Sequence, residues 1–239
     1  MNSTHLPQHI SKQFDNELEN IRSLVLAMGG LVETQLADAI SALLESNVEL
    51  ARSVLESEFE VNAMDVAIDE ECTQILARRQ PAAGDLRLIM AVIKTITDLE
   101  RIGDEAERIA KMAIDLAETP VPKAYYVGIG SMGNTVRSMV HGALDAFARM
   151  DSAAALEIAG RERGADAQYG AILRQLITYM MEDPRNITSA LDTMWSARAM
   201  ERIGDHARNI CEYVIYFVEG KDVRHISLEE MEKEVKGQP

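Results

Sequence analysis

Apolar residues recur every three or four positions through nearly the whole chain, the period of one helix face rather than of a strand. The pattern predicts helices over 9–45, 48–79, 84–118, 123–149, 152–182 and 187–219. It breaks at Ser46-Asn47, at Gln80-Pro81 through Gly84, at Thr119-Pro120-Val121-Pro122, at Met150-Asp151 and at Asp183-Pro184. Proline lacks the amide that a helix interior needs and restricts the residue before it, so Pro81, Pro120 and Pro184 read as stops. Asp85, Asp151 and Asn186 stand where side-chain caps are expected. Several of these helices run past roughly 30 residues, well over the usual mean. Long helices joined by short turns form antiparallel bundles. A coiled coil would need a strict seven-residue repeat, which 86–114 does not keep.

The pattern also repeats on a larger scale. Glu-Arg-Ile-Gly-Asp occurs at Glu100–Asp104 and again at Glu201–Asp205. Met28-Gly29-Gly30 corresponds to Met132-Gly133-Asn134, and Pro81 to Pro184. Each half then holds three helices, and the expectation is an all-α protein of two tandem three-helix bundles related by internal duplication, joined end to end. The first unit spans 1–120, the second 121–220, with the division at Pro120–Pro122. Residues 221–239 form a charged tail, expected to be frayed or a short appendage.

In the third helix of the first half, Ile89, Val92, Ile96, Leu99, Gly103, Ala106, Ala110 and Ala113 mark the stripe expected to be buried. Glu100 falls roughly 80° from its centre and Asp104 about 120°. Both lie at the border of the packed face with Glu107 on their side, while Arg101 and Glu105 point farther out. Two carboxylates one turn apart repel by about 0.2–0.5 kcal/mol on an exposed helix. A hard cation such as Mg²⁺, Mn²⁺ or iron would reverse that sign. Glu162 and Asp166 repeat the spacing on the second half's middle helix, and Glu58 with Asn62 stand at the matching place in the first. The candidate metal ligands are thus Glu162, Asp166, Glu201 and Asp205 in one half, and Glu58, Glu100 and Asp104 in the other. Asn62 supplies only a neutral oxygen. The same residues also suit a solvated acidic face, with Asp104–Arg108 and Arg101–Glu105 as surface ion pairs.

Composition narrows the function classes. The chain has 239 residues, 24 basic and 39 acidic, for a net charge of −15. So acidic a surface repels nucleic acid and anionic lipid, and no stretch approaches about 20 uninterrupted apolar residues. A cytoplasmic protein without membrane insertion is expected. Cys72 and Cys211 lack a metal-binding spacing and are expected buried and reduced. The chain lacks a GxxxxGK[ST] loop, a GxSxG elbow and a strand-borne GxGxxG. Di-metal carboxylate bundles place Glu three residues before His, which none of His5, His9, His141, His206 and His225 has. A metalloenzyme therefore lacks that template, although His206, beside Asp205, could serve as an outer ligand. Trp195, Met180, Met181 and Met194 are read as core, with a partner face as the alternative.

Taken in order, several words of this chain resemble the PhoU family of bacterial phosphate-signalling regulators. They are Val61-Asn62-Ala63-Met64, Asp69-Glu70-Glu71-Cys72, Arg79-Gln80-Pro81, Asp85-Leu86-Arg87-Leu88 and the two Glu-Arg-Ile-Gly-Asp pentads. They cover the chain from about Phe14 to Gly220. The resemblance implies paired three-helix bundles whose Glu/Asp-x-x-x-Asp motifs bind metal clusters, here Glu100/Asp104, Glu201/Asp205 and Glu162/Asp166. Glu58 matches its position, whereas Asn62 departs from an Asp that family members often carry. It further implies a homodimer that is not an enzyme. Such a protein holds the phosphate-starvation response off by contacting a sensor histidine kinase and the ATPase subunit of the phosphate ABC transporter.

Overall fold

The computed structural model describes residues 12–118 and 126–236. These form α1 (Lys12–Glu45), α2 (Val48–Arg78), α3 (Ala83–Glu118), α4 (Tyr126–Arg149), α5 (Ser152–Ala159), α6 (Glu162–Glu182), α7 (Ile187–Glu219) and α8 (Leu228–Lys236), with a 3₁₀ turn at Pro184–Asn186 before α7. The Pro120–Pro122 division lies outside the described residues.

The duplicated sequence builds duplicated turns. Ser46 and Met150 both take a left-handed conformation, with φ of 54° and 52°. The next residue in each case sends its amide back to a helical carbonyl, Asn47 N to Ala42 O at 2.9 Å and Asp151 N to Ala146 O at 3.0 Å. The same two side chains then cap the following helix, accepting from Leu50 N and Ala154 N. Asp151 caps as expected. Asn186 makes no side-chain cap; Asp183 does, toward Arg185 N. Asp85 lies buried inside α3.

α3 and α7 share the most extensive helix–helix interface, and α1 also packs on α4. The two bundles therefore lie side by side, not end to end, because the buried stripe of each third helix is wide enough to serve both its own bundle and its counterpart. Every residue of the expected α3 stripe is buried. The partners run antiparallel: Lys94 meets Tyr213, and Glu105 meets Arg202.

Across α1 and α4 the repeat is reciprocal. A Cβ at Gly29 would lie 2.6 Å from Leu144 Cδ2, and one at Gly133 would lie 2.9 Å from Ile40 Cγ2. Each helix thus seats a branched side chain in the glycine notch of the other. Gly29→Val is expected to cost about 1–3 kcal/mol, read as a lower urea midpoint. Gly30→Ala, where nothing lies within 4 Å, is expected to be neutral or slightly stabilising. Equal effects at both positions would refute the notch.

Three further expectations need correction. The predicted helix over 152–182 breaks at Gly160-Arg161, where tightened bonds (Arg161 N to Ile158 O, Gly164 N to Arg161 O, both 2.9 Å) separate α5 from α6. The tail is folded: Val223 and Met231 are buried, α8 rests on α5, and Ser227 with Glu230 forms a reciprocal capping box. Trp195 and Met181 are not core but exposed, while Met180 and Met194 are half-buried. Cys72 and Cys211 are buried and free, and burial pushes the Cys72 thiol up to about 12. Among the described residues α1 is long and apolar enough to cross a membrane by length and composition, and its apolar stripe packs against α2, α3 and α4.

Candidate metal centre

In the second half the break before α6 sets Glu162 at that helix's first position and the exposed Asp166 one turn later. Glu162, Asp166 and Asp205 each bring a carboxylate oxygen within 4.8 Å of the others, a set that could hold a divalent cation. Burial raises the Asp205 carboxyl, and the charges of Glu162 and Asp166 push it further the same way. Glu201 stands beside this group rather than in it. Its Oε1 accepts from Arg198 at 2.6 Å, and its Oε2 is buried with no hydrogen-bond partner. Burial and then Asp205 raise its carboxyl. Arg208 donates to Glu162 at 2.9 Å and to Glu212 at 3.1 Å. Two guanidiniums, Arg208 at Glu162 and Arg198 at Glu201, thus partly offset the four acids. These residues fit a hard cation, since three repelling carboxylates converge, Asp166 exposed and Glu162 and Asp205 half-buried, with the orphaned Glu201 oxygen beside them.

The first half is arranged differently. Glu58 comes from α2 to lie buried beside Gly103, where a Cβ would meet its Oε2 at 3.1 Å. Gln35 of α1 reaches that oxygen only at 3.5 Å, and Glu58 Oε1 has no partner. Burial, then the charges of Asp104 and Glu107, push this carboxyl up to about 7. Glu100 is raised by burial and then by Asp104. Arg101 spans the pair, at 3.3 Å from Glu100 and 3.1 Å from Asp104. Asn62 is exposed. Among the described residues only the second half brings three carboxylates together as tightly as 4.8 Å.

Sequence reasoning missed Asp65 and Gln35 and misplaced Glu105. Asp65 is raised by burial and then by Asp69, and its charge reaches Glu100. The Asp65/Asp69 spacing, again one turn, was the available signal. Gln35 enters only through packing, beside Gly103 of the expected α3 stripe. Glu105, expected to point outward, is 2% exposed and is held by Arg108 and by Arg202 of α7 at 3.0 and 3.1 Å. The second bundle covers the face that a lone bundle would have left wet. His206 holds its Nδ1 2.6 Å from Asp98 Oδ1, which also accepts from Asn209, tying α7 to α3, while its charge reaches Asp205 and Glu100.

A sequence profile described as the PhoU domain matches residues 25–113 and again 129–214. The chain belongs to the PhoU family. A PhoU relative from Pseudomonas putida, named a phosphate-specific transport system accessory protein PhoU homolog, is 54% identical over 237 residues, 99% of this chain and 93% of that one. The crystal structure of PhoU from Pseudomonas aeruginosa superposes with a TM-score of 0.86 at 53% identity, covering 87% of this chain and all of that one. That of the phosphate transport system regulatory protein PhoU from Streptococcus pneumoniae gives 0.82 at 29% identity, covering 88% and 99%. The all-α architecture of two three-helix repeats is thus the PhoU fold, with the middle helix of the second repeat split.

Proposed function

We propose that this PhoU-family chain is a regulatory accessory protein of a phosphate-specific transport system and a negative regulator of the phosphate-starvation response. In this reading it acts in the cytoplasm as a homodimeric adaptor between the transporter's ATPase subunit and a sensor histidine kinase, binding partners rather than turning over a substrate. The observation that carries the reading is near-full-length identity to relatives bearing the transport-accessory name. The −15 net charge supports salt-sensitive docking to basic surfaces. Adaptor action needs only different affinities for two states of a partner.

Metal belongs to the same proposal. Glu162, Asp166 and Asp205, with Glu201 alongside, would hold one divalent or iron-type cation, and Glu58, Glu100 and Asp104 a second. A bound cation supplies neutralising charge across two helices, α6 and α7 in one case and α2 and α3 in the other. Arg208 and Arg101 hold the acids when no cation does so.

Deleting the gene is expected to switch on phosphate-starvation genes in phosphate-rich medium, measured by transcript abundance. Unchanged transcripts would reject the regulatory role.

A further inference from the structure

The two ends of the α3–α7 interface are related by the internal repeat but finished differently. At one end Lys94 of α3 holds its Nζ 5.4 Å from the centre of the Tyr213 ring and 5.8 Å from that of Tyr216. Counting from the two pentads, the counterpart of Lys94 is Trp195, and the counterpart of Tyr216 is Asp115. At the other end, then, the aromatic side chain is on α7 and no cation covers its ring among the described residues. Trp195 is 52% exposed. Ile187 and Leu191 precede it at one-turn intervals and are exposed as well, so the three form an apolar strip on one face of α7.

Two acids border this strip. Asp192 is one turn from Trp195, and Asp115 reaches it from α3: burial raises the Asp192 carboxyl and the Asp115 charge adds to the rise. Neither makes an ion pair among the described residues. The neighbouring cations are already engaged. Arg198 is bound to Glu201 and lies over Tyr169, Arg185 is bound to Asp183, and Lys111 to Glu107. An aromatic ring with open apolar neighbours and two unmatched carboxylates has the chemistry to receive a cationic side chain, its stem on the ring and its head between the acids.

We propose that this end of α7 docks a helix of a partner protein that presents a lysine or arginine beside an apolar stripe. The proposal rests on the reading that the protein works by binding partners. It names the surface and the chemistry of the segment that fits. A second copy fits less well, because a two-fold contact would bring Asp115 and Asp192 against their own duplicates. Exposed tryptophan with flanking aliphatic residues is the composition of an interface centre, whereas isolated surface leucines need no explanation.

Trp195 is the chain's single tryptophan, so its emission reports on this strip alone. The test titrates a synthetic amphipathic Leu/Lys helical peptide into the full-length protein. The expected result is a saturable blue shift that weakens with salt. Affinity should drop about tenfold in the Asp115→Asn/Asp192→Asn variant, which leaves the reporter in place. A Leu/Glu peptide of the same spacing should give no shift. Silence with the Leu/Lys peptide, or equal binding by the double variant or of the Leu/Glu peptide, would overturn the proposal. A blue shift that follows protein concentration without peptide, together with a dimer in sedimentation, would assign the strip to a second copy and overturn it too. The regulatory role is judged separately: peptide failure with starvation genes still derepressed by deletion removes only this surface.

Discussion

Replacing Asp166 and Asp205 together with asparagine is expected to strip metal from the second-half cluster and to stabilise the chelated protein. Both outcomes have one cause. Glu162, Asp166 and Asp205 converge to within 4.8 Å. That proximity is favourable only when a cation sits among them. The double variant leaves Glu162 and its Arg208 partner intact, so it removes ligands without breaking the principal ion pair. Losing two first-hand oxygen ligands should weaken Mn²⁺ or Mg²⁺ binding at least about a hundredfold by calorimetry, since disturbing outer partners alone costs 10–100-fold. In chelator the lost repulsion is worth about 1 kcal/mol, or roughly 2–4 °C in melting temperature. Unaltered metal content by elemental analysis, or a lower melting temperature in chelator, would sink the cluster as a metal centre.

Glu58 supplies the second large effect, visible in the pH dependence of the chelated protein. Its carboxyl is pushed up to about 7 in the fold from an ordinary value of 4.5. A raised carboxyl means the folded state resists ionisation more than the unfolded chain does. Below 4.5 both states hold the proton and Glu58 costs nothing. From 4.5 to about 7 the unfolded state alone ionises, and stability falls. Above about 7 the penalty is complete, about 3 kcal/mol, or roughly 6–12 °C in melting temperature. Glu58→Gln keeps the volume and cannot ionise. The variant's melting temperature at pH 8 should therefore exceed the wild type's by that amount, and the two should converge near pH 4.5. Parallel curves across that range would show that Glu58 does not titrate in this way. Added Mn²⁺ should narrow the gap, because a cation beside Glu100 and Asp104 makes the ionised Glu58 favourable.

Much of this was legible in the chain because helices are local. The α3 stripe from Ile89 to Ala113, the breaks at Asn47 and Asp151, and the Asp151 cap follow from spacing and from side chains that bond their own neighbours. Gly160 was passed over because a lone glycine costs a helix only about 1 kcal/mol and tertiary packing can tolerate or exploit it. Here the break is what sets Glu162 toward Asp205. The one-turn carboxylate spacing paired Glu162 with Asp166 and Glu201 with Asp205, and the fold brings the first pair to Asp205. It could not rank Glu201 as an adjacent acid, because that depends on Arg198 drawing its carboxylate aside.

By itself the amino-acid sequence determined the helical class, the internal duplication, the PhoU resemblance and the acids in question. Each of these is written in short-range periodicity or in repeated words. The tertiary structure alone decided that the bundles lie side by side, that Glu105 is buried while Trp195 is open, and that Asp98 meets His206. Those outcomes depend on which face of one bundle the other covers. Residues about a hundred positions apart make that choice together, through shape and burial, and no local pattern encodes it.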